Sequence, residues 1–163
     1  MGIEQDISQA KFRNIQQKAI INFIYTFNWM NEKIKTMLDE YDITPQQFNI
    51  LRILRGAKSP LSTMQIRERM LDKMSDTSRI VDRLIVKELV RKNICPRDKR
   101  LVDVVITDKG LDLLAQLDLH SDELDSVIGN LTCTEMQQLN HLLDKMRSPA
   151  NIETAIQGSP ALS

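Results

Sequence analysis

Between Phe12 and Leu38 apolar residues return every three or four positions, through Ile15, Ala19, Phe23, Phe27, Met30, Ile34 and Met37, which gathers them on one stripe of a helix. The run predicts one long helix carrying more apolar bulk than a small domain covers on one side. Later helices announce their own starts. Thr44-Pro45-Gln46-Gln47 places a hydroxyl cap, a proline at the first helical position and a glutamine that closes a capping box, flanked by Ile43 and Phe48 as a hydrophobic staple. That helix runs to about Arg55 and stops at Gly56. Ser62-Thr63-Met64-Gln65 repeats the grammar, with Leu61 and Ile66 as the staple and an end near Met70. A further helix opens at Ser75 or Asp76 and runs through Ile80, Val81, Leu84 and Ile85 to about Glu88.

The period then changes. Leu89 to Ile94 and Leu101 to Ile106 lose helical spacing, and Val102, Val104 and Ile106 alternate with Leu101, Asp103 and Val105, as a half-buried strand requires. The two runs predict a two-stranded hairpin tipped by residues 95–100. Thr107 caps the next helix, with Ile106 and Leu111 stapled, predicted as one piece through Leu114, Leu117 and Leu124 to Ile128, where Gly129-Asn130 stops it. The last helix opens at Thr132-Cys133-Thr134-Glu135 and holds Met136, Leu139, Leu142, Leu143 and Met146. The fold expected is mainly α with a small β hairpin. Residues 1–42 and 107–147 form a helical base, residues 43–106 a lobe in which helix, turn, helix and hairpin follow one another, and residues 148–163 a flexible tail. The apolar surplus of the first and last helices predicts a self-complementary dimer.

Charge adds what periodicity cannot. The 163-residue chain is formally neutral, yet from Arg79 to Arg100 eight cations face three anions, while from Asp103 onward three cations face ten anions. A basic segment inside a neutral total is the electrostatic footprint of a polyanionic partner. No apolar run approaches the roughly 20 residues of a membrane span, nothing resembles a signal peptide, and Cys95 and Cys133 sit in no paired spacing. A cytoplasmic, membrane-free protein is expected. His120 and His141 fall on different helices without a ligand cluster, so neither a metal nor a cofactor is expected. No Gly-rich phosphate loop or nucleophile-base constellation is visible, which argues against an enzyme.

The candidate chemistry is nucleic-acid binding. The second helix of a helix-turn-helix enters the major groove with its first turns leading, where Ser75, Asp76, Thr77, Ser78 and Arg79 supply short donors and a guanidinium. Arg79 and Arg83 lie one turn apart, opposite Ile80, Val81 and Leu84. At the hairpin tip Arg97, Lys99 and Arg100 crowd positive charge around Asp98, which suits a narrow minor groove. For the helix alone a solvated charged face is the plainer reading; the adjacent basic tip shifts the balance to double-stranded DNA. The methionines, among them Met30, Met37, Met64, Met70 and Met74, suit core filling more than an adaptable pocket.

Three stretches carry a resemblance. Leu84-Ile85-Val86-Lys87-Glu88-Leu89-Val90-Arg91, then Asp98-Lys99-Arg100, then Ile106-Thr107-Asp108-Lys109-Gly110 resemble the MarR family of bacterial winged helix-turn-helix regulators, whose wing bears Asp-x-Arg and whose next helix opens with Leu-Thr-x-x-Gly. In element order the resemblance spans about Phe12 to Met146; in motif it is specific from about Ser75 to Gly110. It implies a homodimer built on the N- and C-terminal helices, recognition helices in major grooves and wings at minor grooves. One departure stands out: Glu88 replaces the glycine usual after the recognition helix. An anion at the negative end of the helix dipole, where a left-handed cap is wanted, predicts a different turn. The function expected is a transcriptional regulator, a repressor on a pseudo-palindromic operator, with room for derepression by a small-molecule effector. The alternative is a winged-helix dimer that binds a protein partner without reading DNA.

Overall fold

The structure, a computed structural model, describes residues 2–94 and 102–148, the side chains of Ile94 and Val102 excepted. Two units divide the chain, one up to Leu124 and one from Asp125.

The first unit begins with a short helix that periodicity did not predict, α1 (Ile3–Asp6), whose Glu4 pairs with Lys18. The long helix α2 (Ile15–Asp39) starts later than Phe12 because Asn14 caps it, accepting the Gln17 N–H at 2.8 Å. Of its apolar stripe only the last turns are covered. Leu38 is buried and Ile34 and Met37 are partly so, whereas Ile20, Phe23, Ile24 and Phe27 stand in solvent. α3 (Pro45–Arg55) and α4 (Thr63–Arg69) carry the predicted capping boxes: Thr44 with Gln47, and Ser62 with Gln65. Gln47 is buried, and its Oε1 is satisfied by the Thr44 N–H at 3.0 Å.

α5 (Thr77–Val86) leads into β2 (Val90–Ile94) and β3 (Val102–Ile106), antiparallel with Val90 opposite Ile106 and Lys92 opposite Val104. The sheet has three strands rather than two. β1 (Leu61–Ser62) adds to the free edge of β3 with Leu61 opposite Val104, so Leu61 serves as a strand residue as well as preceding the α4 cap. Alternation alone could not reveal a two-residue strand. The core gathers Leu38, Ile50, Leu51, Ile66, Met70, Val81, Leu84, Val90, Val104 and Leu114 from α2 to α6 and the sheet. Full burial of side chains of this kind contributes about 1.5–3 kcal/mol each.

The helix expected from Thr107 to Ile128 is broken. α6 (Asp108–Asp118) ends where the Leu119 and His120 amides bond three residues back, to Gln116 and Leu117, and α7 (Ser121–Ser126) follows. Leu114 and Leu117 are buried, but Leu119 faces water and Asp118 to Glu123 offers no inward stripe to continue. Nothing apolar rewards the next turn.

In the second unit α8 (Cys133–Arg147) begins at the predicted capping box, Glu135 N–H to Thr132 Oγ1 at 3.3 Å and Thr132 N–H to Glu135 Oε2 at 2.7 Å. None of its side chains is buried, and Leu139, Leu142 and Met146 are exposed. No helix among the described residues is long and apolar enough to cross a membrane.

Candidate nucleic-acid interface

α4, residues 70–76 and α5 form the helix-turn-helix, and β2 and β3 leave it as the wing. Asp76 caps α5: its Oδ1 accepts the Arg79 N–H at 3.2 Å, and its Oδ2 lies 3.4 Å from Arg79 Nε. Before it, Asp72 closes the turn by accepting the Ser75 hydroxyl at 2.7 Å and the Met74 N–H at 2.9 Å, and these two bonds hold its carboxyl below the usual aspartate range.

The helical period then sorts the candidates. Ser78, Arg79, Asp82, Arg83 and Val86 form the outward face. Thr77, grouped by sequence with the outward donors, is instead 3% exposed, and its Oγ1 meets no hydrogen-bond partner among the described residues. Its place in the period explains this, since Thr77, Val81 and Leu84 are spaced as one inward stripe. Ser75 is half-buried and its hydroxyl is engaged by Asp72. Arg97, Asp98, Lys99 and Arg100 lie outside the described residues, as does any pairing of Asp98.

The end of α5 departs from expectation at Glu88. Glu88 adopts φ 61°, the left-handed conformation that glycine usually supplies. The Glu88 N–H bonds to the Ile85 carbonyl at 2.9 Å and the Leu89 N–H to the Leu84 carbonyl at 3.0 Å, the paired bonds of a Schellman motif, with Leu84 and Leu89 both in the core. The turn is therefore the ordinary one, formed by an unfavourable residue. Three contacts offset the strain. Thr107 Oγ1 donates to the Glu88 carbonyl at 2.7 Å, Lys109 Nζ lies 3.1 Å from Glu88 Oε2, and the Thr107 N–H reaches the Leu89 carbonyl at 3.1 Å.

Cations counted only as charge by sequence turn out to connect elements. Lys92 on β2 meets Asp82 on α5 at 3.3 Å, and Lys87 meets the Asp42 carboxylate at 2.8 Å while also donating to its carbonyl. Asp42 too has a positive φ, 53°. A cleft of about 590 Å³ opens here, lined by Tyr41, Lys87, Leu89, Lys109, Asp112 and Gln116 among others. The methionines divide: Met70 is core, while Met64 and Met74 are exposed and fill nothing. Among the described residues no group of three His, Cys, Asp or Glu could hold a metal ion.

Comparison with known proteins agrees with this geometry. The family model described as MarR family matches residues 41–101. The chain is 31% identical over 127 residues to the multiple antibiotic resistance protein MarR of Escherichia coli, covering 72% of this chain and 85% of that protein. Among solved structures, a putative MarR-like transcription regulator from Bacillus cereus superposes with a TM-score of 0.72 at 24% identity, over 81% of this chain and 95% of that one. A variant of Escherichia coli MarR complexed with operator DNA superposes with a TM-score of 0.70 at 24% identity, over 91% and 100%.

Proposed function

Since the chain belongs to the MarR family of winged-helix transcription regulators, we propose that it represses transcription in the cytoplasm as a homodimer bound to a pseudo-palindromic operator. The observation that carries the reading is the outward face of α5, where Ser78, Arg79 and Arg83 stand in solvent ahead of the wing. Arginine there bonds guanine bidentately or holds a phosphate. Ser75 and Asp76 shape the leading turn, and Arg97, Asp98, Lys99 and Arg100 meet the minor groove. Thr77 takes no part. The exposed apolar faces of α2 and α8 supply the dimer base, with residues 1–42 and 107–147 as its helical part; burying side chains of this size contributes far more than any rim ion pair.

A small-molecule effector that enters the cleft and separates Lys87 from Asp42 favours a second spacing of the DNA lobe and lowers operator affinity by population shift. The chemistry is binding throughout, in keeping with a family of regulators rather than enzymes.

Selection of bound duplexes from a random pool, followed by fluorescence anisotropy against salt, tests the reading. A two-fold-related site with a log-log salt slope of about −0.9 per neutralised phosphate supports it; no duplex bound, or a slope near zero, overturns it. Arg100→Ala is expected to weaken binding at unchanged melting temperature. Sedimentation equilibrium showing a stable monomer would remove the symmetric operator.

A further inference from the structure

Met74 is accounted for neither by the core nor by the face of α5. Its side chain is 93% exposed, and Leu71, at the other end of the same turn, is 87% exposed. A lone exposed apolar residue is ordinary on a protein surface, but this one is firmly presented. The Met74 N–H is tied to Asp72, the Leu71 N–H donates to Asn49 Oδ1 on α3 at 2.9 Å, and Lys73 donates to the Glu68 carbonyl. The backbone of the turn is thus held before any partner arrives, which leaves the side chains as the part to be ordered on binding.

Its position favours a duplex. Met74 stands two residues before the Asp76 cap, in the turn that leads into α5 and its outward residues Ser78 and Arg79. Lys73 lies beside it, Asp76 pairs with Arg79 as well as capping the helix, and Asp72 is held by the Met74 and Ser75 groups of its own turn. An apolar tip at this place matches the major-groove edge of an A·T pair, which presents the thymine C5-methyl.

We propose that Met74 is a specificity-determining residue that packs on the C5-methyl of one thymine in each operator half-site. The inference rests on the operator reading above and adds to it which base is read by an apolar contact. The first turns of a recognition helix lead into the groove, so a side chain just ahead of the cap arrives at base edges. The unbranched thioether adapts its shape to a methyl group without a partner of fixed geometry.

Deoxyuridine deletes that methyl and nothing else. In the selected operator each thymine is replaced in turn, and anisotropy titrations compare the full-length wild type with Met74→Ser and Met74→Leu. At one thymine per half-site the wild type is expected to lose about four-fold in affinity, the loss that follows from one apolar carbon group. Met74→Leu, which keeps an apolar tip, should lose a similar factor, and Met74→Ser should bind both probes alike. Because Met74 is 93% exposed among the described residues, both variants are expected to melt with the wild type. If the wild type binds its operator but no thymine methyl matters to it and not to Met74→Ser, the proposal is overturned while the operator reading stands. If Met74→Ser matches the wild type on every probe, the apolar turn faces a protein surface instead. If no duplex is bound at all, both fall.

Discussion

Replacing Gly110 with alanine tests whether α6 is seated by a backbone contact. A Cβ at Gly110 would lie 2.3 Å from the Leu89 carbonyl oxygen and 2.7 Å from Ile106 Cγ1, with Ile106 Cδ1 at 3.3 Å. Ordinary contacts of carbon fall at roughly 3.5 Å, so α6 and the β2 entrance must part by about 1 Å. The nearest obstacle is backbone and cannot rotate away. That carbonyl accepts the Thr107 N–H at 3.1 Å, and Thr107 Oγ1 accepts the Gly110 N–H at 3.2 Å, so the displacement loosens both bonds. Overpacking costs about 1–3 kcal/mol and a weakened hydrogen bond about 0.5–1.5 kcal/mol, against a gain of up to about 1 kcal/mol from the helix propensity of alanine. The expected net loss is about 2 kcal/mol, or a fall of about 4–8 °C in Tm for a chain of this length. Urea unfolding at fixed protein concentration measures it as a lower midpoint at unchanged slope. Gly56→Ala is the control: there a Cβ would meet nothing closer than 3.5 Å, at ordinary helical φ, so stability should rise by about 0.5 kcal/mol. A Gly110→Ala protein as stable as the wild type would refute the close approach.

Glu88→Gly relieves about 1–2 kcal/mol of left-handed strain, set against the added freedom of the unfolded chain and one exposed ion pair; urea midpoints should show a net gain of about 0.5 kcal/mol, and a loss would mean that Lys109 and Thr107 depend on this side chain. Thr107→Ala removes the cap of α6 and the bond to the Glu88 carbonyl together, and should cost about 1–2 kcal/mol by the same assay. The Arg55 guanidinium grips Asp118 with bonds of 2.5 and 3.2 Å and holds its carboxyl below the ordinary value of 3.8. A depressed carboxyl stabilises fully above its unfolded value and loses that contribution as pH falls through its folded one, so Asp118→Asn should differ from wild type at pH 6 and converge with it as pH falls below 3.8 and through the folded value. Parallel stability curves for the two proteins across that range would contradict the pairing.

The elements that sequence revealed are those whose causes are local. The capping boxes at Thr44, Ser62 and Thr132 and the caps at Asp76 and Thr107 each lie within four residues of the groups they satisfy, and all five helices start there. What stayed hidden depends on partners distant in sequence. β1 exists because Leu61 finds Val104, and the left-handed Glu88 is tolerated because Thr107 and Lys109 meet it nineteen and twenty-one residues on. The break after Asp118 falls where the stripe is interrupted: Leu124, Val127 and Ile128 keep helical spacing, but no apolar residue points inward between Leu117 and Leu124. At the candidate interface charge marks α5, but donor chemistry does not decide the side on which Thr77 lies: the helical period places it with Val81, inward. Periodicity was the better guide there.

Both ends of α5 are held by groups outside it, and the bonds are of unequal strength. At the start, Asp72 and Asp76 bind amides of the same turn. At the finish, the Leu89 amide and carbonyl bond to Leu84 and Thr107 around a buried leucine, so the end of α5, the first wing strand and the start of α6 share one backbone network. Lys92 with Asp82 adds a lateral tie. Exposed ion pairs of this kind contribute less than about 1 kcal/mol each, whereas breaking a buried backbone bond costs about 1–3 kcal/mol. α5 and the wing strands therefore move together, and the weak seam lies where Lys87 reaches across to Asp42 at the end of α2. In the function proposed above, a ligand of modest affinity would gain leverage over DNA binding at that seam, because the polar contact it opposes there is a side-chain pair instead of a backbone ladder.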